Sequence, residues 1–276
     1  MSFAVVFPQE PFFPDRVDEA FHEQALIVQD MGHTVALMDF DAMGNPEAPF
    51  ADVPTDVVPK VPAIYRGWML DKEGYTRLYG YMRKHGYQMQ TSPEEYIAAH
   101  HKGQWLKALG QWCAPTVSCA VEDAVKVFAE SGFSEVIVKD EVKSLKDAQG
   151  VKIVKSAQQL HQWIAASTRH RGQIEGNTLY LSQKLDLVPQ SETRFFGVRG
   201  KLYATNHDHD QRLYDLALQV LRVYKAHSPF FSIDVALDTQ GKAWLMEIGD
   251  GQVSDLTPPW EDGHLMMIIN GLIEQE

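Results

Sequence analysis

Two cysteines in 276 residues are too few for a disulfide framework. Cys113 and Cys119 match no CxxC or Cys/His zinc spacing, so a reducing, cytoplasmic setting with two incidental thiols is expected. Positive charge is also scarce: 25 Lys and Arg stand against 37 Asp and Glu, a net charge of −12. That balance repels a phosphate backbone and an anionic bilayer, so neither nucleic acid nor membrane is an expected partner. No apolar run approaches the roughly 18 residues of a membrane span. The opening MSFAVVFPQEPFFP lacks the basic start and long apolar stretch of an export signal. The GxxxxGK[ST] phosphate loop is missing, so any polyphosphate must be held by other means. What remains is ample core material, 45% hydrophobic and 11% aromatic, for one large or two to three small domains. Small-molecule chemistry is the class these absences leave open.

The chain opens as strand, helix, strand: apolar Phe3 to Phe7, one helix face over Val17 to Met31 closed by Gly32, then Thr34 to Met38. Pro46, Pro49, Pro54, Pro59 and Pro62 mark a loop before a third strand at Ala63 to Tyr65. A helix over Gly74 to His85 and a short strand at Tyr87 to Met89 follow. Ser92-Pro93-Glu94-Glu95 is a capping box with proline at the first helical position, opening a helix predicted to run through Lys102 toward Trp112. After Ala114-Pro115-Thr116 a separate α/β unit is expected over Val117 to Lys184. The remainder reads as a strand at Thr193 to Val198, an amphipathic helix from Gln211 to His227, a hairpin, and a last helix from His264 to Ile273.

The hairpin, FSIDVALDTQGKAWLMEIGD over Phe231 to Asp250, carries the most chemistry. With a two- or four-residue loop, Asp234 faces Leu245 and becomes a diagonal neighbour of Glu247, roughly 7 to 8 Å away. Two carboxylates so placed can share a hard cation. An odd-length loop puts them on opposite faces, and a solvated sheet edge is the plain alternative.

Several cations accompany this pair. Arg66 follows the strand Ala63 to Tyr65, where open α/β sheets bind ligands; it either grips an anion or stacks on Trp68 or pairs with Asp71. Lys139 ends the apolar strand Val136 to Val138 and leads into Lys143-Ser144-Leu145-Lys146, which suits a polyphosphate or forms a self-paired solvated face. Glu192 and Arg194 share strand parity, as a phosphate-gripping arginine and its orienting carboxylate would, or as a surface pair would. Asn206 to Asp210 holds metal-ligand residue types but reads as a polar loop capping the next helix.

The order of these pieces resembles the ATP-grasp superfamily over almost the whole chain. Asp234 and Glu247, 13 residues apart, look like the metal ligands of D-alanine:D-alanine ligases. Lys102-Gly-Gln-Trp-Leu-Lys107 with Ala114-Pro115-Thr116 is similar to the family's opening lysine helix and proline, and VIVKD resembles the strand of its lid lysine. Tyr65-Arg66-Gly67-Trp68, KDxxKS and EIGDGQVS look like a clade of short bacterial and phage ATP-grasp proteins. The resemblance implies an α/β (α+β) fold: an N-terminal Rossmann-like domain over 1–91, a linker helix and lid over 92–184, and a catalytic mixed sheet with helices over 185–276. It implies ATP with Mg²⁺ or Mn²⁺, and ligation of a small-molecule or peptide carboxylate to an amine through an acyl phosphate, by a monomer or homodimer. A small-molecule kinase and a non-catalytic binding module are the rivals. Carried over residue by residue, Arg66, Lys143 and Arg194 are catalytic, and Lys102, Lys139, Ser144 and Glu192 hold the nucleotide with the hinge Gln183, Lys184, Leu185 and Asp186. The metal falls to Asp234 and Glu247; because the usual Glu-x-Asn is here Glu247-Ile-Gly249-Asp250, the third ligand is either Asp250, one place late, or a water.

Overall fold

The computed structural model describes residues 3–44, 51–52, 60–142, 146–147, 150–151, 153–170, 177–205, 208–256 and 262–274. The first sheet is built from β1 (Ala4–Glu10), β2 (Phe13–Val17), β3 (Thr34–Met38), β4 (Ala51–Asp52), β5 (Val61–Tyr65) and β6 (Tyr87–Met89), with α1 (His22–Asp30) and α2 (Lys72–Lys84) between them. Its order is β4-β3-β1-β5-β6, with β1, β3, β5 and β6 parallel and β2 folded back against β1. Ala4 to Phe7 of β1 are buried, as an inner parallel strand covered on both faces must be. The chain leaves β1 to one side through β3 and to the other through β5, so the order reverses at the carboxyl end of β1. Periodicity alone predicts a helix from Val17. Instead Val17 closes β2, and Asp18 accepts a hydrogen bond from the Ala20 amide to start a 3₁₀ turn before α1.

The capping box at Ser92 forms in both directions: Ser92 N donates to Glu95 Oε2 at 2.7 Å and Glu95 N to Ser92 Oγ at 3.2 Å. The helix it opens is two helices, α3 (Pro93–His100) and α4 (Lys102–Leu109), because His101 takes an extended conformation between them. An antiparallel sheet follows, ordered β11-β8-β12-β7. It comprises β7 (Thr116–Ala120), β8 (Val136–Lys139), the hairpin pair β9 (Lys146–Asp147) and β10 (Gly150–Val151) set apart from it, β11 (Ile153–Val154) and β12 (Thr178–Gln183), with α5 (Ala124–Glu130) and α6 (Ala157–His170). Phe128 and Leu160 pack on Val136, Val138, Leu179 and Leu181.

The last sheet is antiparallel, ordered β14-β13-β15-β16 from β13 (Thr193–Val198), β14 (Lys201–Ala204), β15 (Phe230–Leu237) and β16 (Ala243–Asp250), with α7 (Gln211–Tyr224) and α8 (Asp262–Ile273). On one face Leu213, Leu216, Val220 and Leu221 of α7 bury against Phe231, Ile233, Val235, Leu245 and Ile248. Each such side chain contributes about 1.5 to 3 kcal/mol. The opposite face changes character along its length. At one end Phe196, Val198 and Phe230 join Phe3, Val5 and Phe7 of β1 and Leu265, Ile268 and Ile269 of α8 in one core, fixing this sheet to the first. At the other end the same face carries Arg194, Asp234 and Glu247.

Candidate active site

Arg194, Asp234 and Glu247 form a row across three strands, since Arg194 is the register partner of Asp234 and Asp234 that of Glu247. The route to this alignment differs from the even-loop expectation. The loop is odd: Asp238 N donates to Lys242 O at 2.9 Å, leaving three residues between them. Leu237, Ala236 and Val235 then face Ala243, Trp244 and Leu245, a register that would set Asp234 against Met246. A bulge between Asp234 and Val235 absorbs Met246 and brings Glu247 directly opposite Asp234. The burial of Leu245 and Ile248, three apart on β16, records the slip.

Arg194 binds Asp234 with both arms, Nε to Oδ1 and Nη2 to Oδ2 at 2.7 Å each, while its Nη1 donates to Asp255 O at 3.0 Å. Lys139, ending β8, reaches across from the neighbouring sheet to Glu247 Oε2 at 3.5 Å. The Glu247 side chain keeps 46% of its exposure, so this pair leaves room for another partner. Glu192 belongs to the same group of charges: its carboxyl is raised by loss of surrounding water first and by Asp234 and Glu247 next.

Lys102 is the second cation of this wall. It is 6% exposed, its Nζ donates to Ser182 Oγ at 2.9 Å, and among the described residues it makes no ion pair with a carboxylate. Burial first, and then the nearby Lys139, pull its ammonium down to about 7. The break at His101 aims it there by making Lys102 the first residue of α4, with its amide donating to Glu141 O at 2.7 Å. Gly103 lets that turn approach β12, because a Cβ at this position would lie 2.3 Å from the Tyr180 hydroxyl. Two neighbouring lysines, one buried with a hydroxyl and the faces of Trp105 and Tyr180 but no carboxylate partner among the described residues, are costly unless an anion comes between them.

An apolar crevice extends from this wall, lined by Lys102, Trp105, Ile137, Leu185, Leu245 and Met246 among others. Cys113, Ser182, Gln183 and Leu187 also line it. Of the expected hinge residues, Gln183 and Leu185 therefore front the crevice. The side chains of Lys184 and Asp186 turn to the surface, where Lys184 pairs with Asp186 at 2.7 Å and with Glu135 at 3.7 Å. Ser182, Trp105 and Met246 were not anticipated. Strand parity could have pointed to Ser182, whereas Met246 enters only through the bulge.

Two expectations are corrected. Arg66 neither faces the wall nor stacks on Trp68 nor pairs with Asp71. It is 2% exposed, and its Nη1 donates to the carbonyls of Gly251 (2.9 Å), Gln252 (3.1 Å) and Ser254 (2.9 Å), with Nε on Gln24 Oε1 at 3.1 Å. Trp68 instead packs on Phe21, and Asp71 caps α2. Arg66 thus spends its donors fastening the loop after β16. Asp250 is no third ligand, because it opposes Phe231 and points to the face away from Asp234 and Glu247. It is fully buried, with Oδ1 accepting from the Gln252 amide (2.9 Å) and side chain (3.1 Å) and Oδ2 without a partner among the described residues. Burial raises its carboxyl to about 7. Lys143 and Ser144 lie outside the described residues, as do Asn206 and His207.

Among the described residues no three His, Cys, Asp or Glu side chains converge on a point. Asp234 and Glu247 are nevertheless hard oxygen donors set opposite each other, and Mg²⁺ commonly takes one or two carboxylates with waters and phosphate oxygens making up its octahedron. The donor set fits a magnesium ion delivered with a polyphosphate, Glu247 being the freer of the two.

A crevice between two antiparallel sheets, with Lys139 of one sheet and Lys102 of the preceding helix facing carboxylates of the other, defines the ATP-grasp class. The chain belongs to this superfamily: the model of an ATP-grasp domain family, numbered 3 within its clade, matches residues 82–268. No curated protein sequence matches it as a relative. Among solved structures it is similar to D-cycloserine synthetase DcsG, with 16% identity over 99% of this chain and 98% of that one and a TM-score of 0.67. It is also similar to D-alanyl-alanine synthetase A from Vibrio cholerae (12% identity, 99% of each chain, TM-score 0.60). A third likeness is to the macrocyclase MdnC of Microcystis aeruginosa, solved with precursor peptide MdnA (15% identity, 98% of this chain and 100% of that one, TM-score 0.61). At identities this low the likeness shows the shared fold alone.

Proposed function

We propose that the protein is an ATP-dependent carboxylate–amine ligase, with residues 92–184 as lid, 185–276 as catalytic unit and 1–91 as substrate-side domain. The observation that carries this reading is the wall of Lys102 and Lys139 facing Asp234 and Glu247 at the end of an apolar crevice. Lysines that repel each other and want an anion, beside carboxylates that want a cation, suit a metal-bound polyphosphate. The crevice takes the adenine between Ile137, Leu185, Leu245 and Met246, with main-chain contacts along Gln183 to Asp186. Glu192 completes the nucleotide contacts.

In the reaction a substrate carboxylate oxygen attacks the γ-phosphorus and ADP leaves. The amine nitrogen then attacks the acyl carbon, and phosphate departs with the carboxylate's oxygen. Lys139 and Arg194 offset charge that develops on the transferred group, and Asp234 orients Arg194 by its two-armed contact. Asp234 and Glu247 would hold a magnesium ion, which would supply charge neutralisation to the phosphates. Synthetases among the solved neighbours support ligation over simple phosphorylation. The two unpaired thiols suit a cytoplasmic protein, working as a monomer or homodimer.

The test is the fate of oxygen. Amino acids and short peptides are screened for ADP release, the active acid is labelled with ¹⁸O in its carboxylate, and the products are weighed by mass spectrometry. Label in free phosphate is the expected result. Phosphate retained on the product would make the protein a kinase, and no ADP release with any acid and amine would leave a binding module.

A further inference from the structure

A second concavity lies away from the lysine wall, on the first sheet. There β1 ends at Glu10, the chain turns at Pro11 and Phe12, and β2 returns to overhang the outer face of α1, leaving an open groove of about 770 Å³. Its floor and rim carry four carboxylates, Glu10, Asp15, Glu19 and Glu23. None of these makes an ion pair among the described residues, and the cations beside them are few. Arg16 lies over the Phe13 ring at 4.7 Å from its centroid, and His22 is the other basic side chain.

Acidic side chains in water need no partner, but this groove also exposes apolar bulk. Phe13 is 50% exposed and Leu26 47%, both lining it, and Phe12 at the hairpin tip is 85% exposed. Soluble proteins scatter such residues singly, and their concentration on one acidic concavity marks a recognition surface. Moreover β2 pairs with β1 alone among the described strands, so its outer edge offers main-chain groups to an added strand. The groove sits at the carboxyl end of β1, where the strand order reverses and α/β sheets take ligands. It is joined to the catalytic side by one residue: Gln24 lines it and accepts from Arg66, which holds the loop following Glu247's strand.

We infer that this groove binds an extended peptide bearing lysine or arginine next to apolar side chains, the polypeptide substrate of the ligase. The peptide's cations meet Glu19 and Glu23, and its apolar side chains meet Leu26 on the same helical stripe and Phe13 across the groove. The assignment of that peptide as substrate rests on the ligase reading, whereas the binding itself does not.

The test uses fluorescence anisotropy with the full chain, no nucleotide, and three labelled peptides alternating Lys/Phe, Glu/Phe and Lys/Ser. Saturable, salt-sensitive binding of the Lys/Phe peptide is expected, with the other two much weaker. The double variant Glu19→Lys, Glu23→Lys, exposed positions on the α1 side, should bind it about tenfold more weakly. Leu26→Ser should weaken it about threefold through lost apolar contact. Circular-dichroism melts confirm that each variant is folded. Absence of saturable binding, or equal binding by wild type and the charge-reversed variant, would overturn the inference. Peptide binding that survives in Glu247→Gln without any ADP release in wild type leaves the groove and removes the ligase. ADP release with small amines but no peptide binding does the reverse.

Discussion

On β16, Glu247 faces the crevice with nearly half its side chain exposed, while Asp250, three residues on, faces inward with none. The two have the same chemistry and nearly the same sequence surroundings, yet one meets a lysine from another sheet and the other meets Gln252 beside the buried hydroxyls of Tyr75 and Tyr96. Strand parity decides between them, and residue type does not. The same contrast separates Arg194, whose donors meet Asp234 at the wall, from Arg66, whose donors are absorbed by backbone carbonyls. Placement separates the two groups: Arg194, Asp234 and Glu247 share one face at the crevice, whereas Arg66 and Asp250 are buried around the loop after β16.

Four substitutions probe that division, in descending order of expected effect. Glu247→Gln should lower the rate of ADP formation by about a thousandfold, about 4 kcal/mol of transition-state stabilisation, while leaving the urea midpoint unchanged. Rates within tenfold of wild type would place Glu247 outside the chemistry. Asp250→Asn should show the opposite signature in a pH series. The native carboxyl titrates at about 7 against 3.8 for the free group, so between those values the folded state keeps a proton that the unfolded state releases. Wild-type stability therefore falls as pH rises from about 4 to about 7, by up to about 4 kcal/mol, and the variant should lose that slope. The same shift in urea midpoint between pH 5 and pH 8 for wild type and variant would refute the buried-carboxyl account. Lys139→Ala should cost about 1.5 to 3 kcal/mol in ATP binding by calorimetry, and Lys184→Ala, on its surface pair, less than about 0.5 kcal/mol. Equal losses for the two lysines would erase the distinction between wall and surface.

Much of this fold could be read from the chain because local signals agreed. The capping box at Ser92, the apolar face of α7 and the alternation of β12 and β13 each sit on the predicted segment. The edge strands β2 and β14 were missed because Phe13 to Val17 and Lys201 to Ala204 are mostly exposed or half-buried and bear no apolar rhythm. At the site, spacing puts Asp234 and Glu247 on one face only for an even loop; the loop is odd, and the bulge at Met246, which no periodicity announces, restores the alignment. The fate of Arg66 could not be read from the chain, since its partners are carbonyls about 185 positions away, which any sequence supplies. Nor could the break at His101, where the α4 start depends on Glu141 O and the Tyr180 hydroxyl.

Met246 occupies the bulge that turns Glu247 toward Asp234. For a strand, this makes the extra residue a coded quantity: paired without the bulge, β16 would set Met246 against Asp234 and turn Glu247 inward, whereas with Met246 excised Glu247 would follow Leu245 directly and still fall opposite Asp234. Substitution at 246 changes what lines the crevice; straightening the strand changes which side chain faces Asp234. Insertions and deletions in the preceding loop, from Asp238 to Lys242, carry no such penalty so long as the bulge stays where it is. A single unpaired residue thus separates two pairings of one sequence, one that sets two carboxylates opposite each other and one that turns the second away.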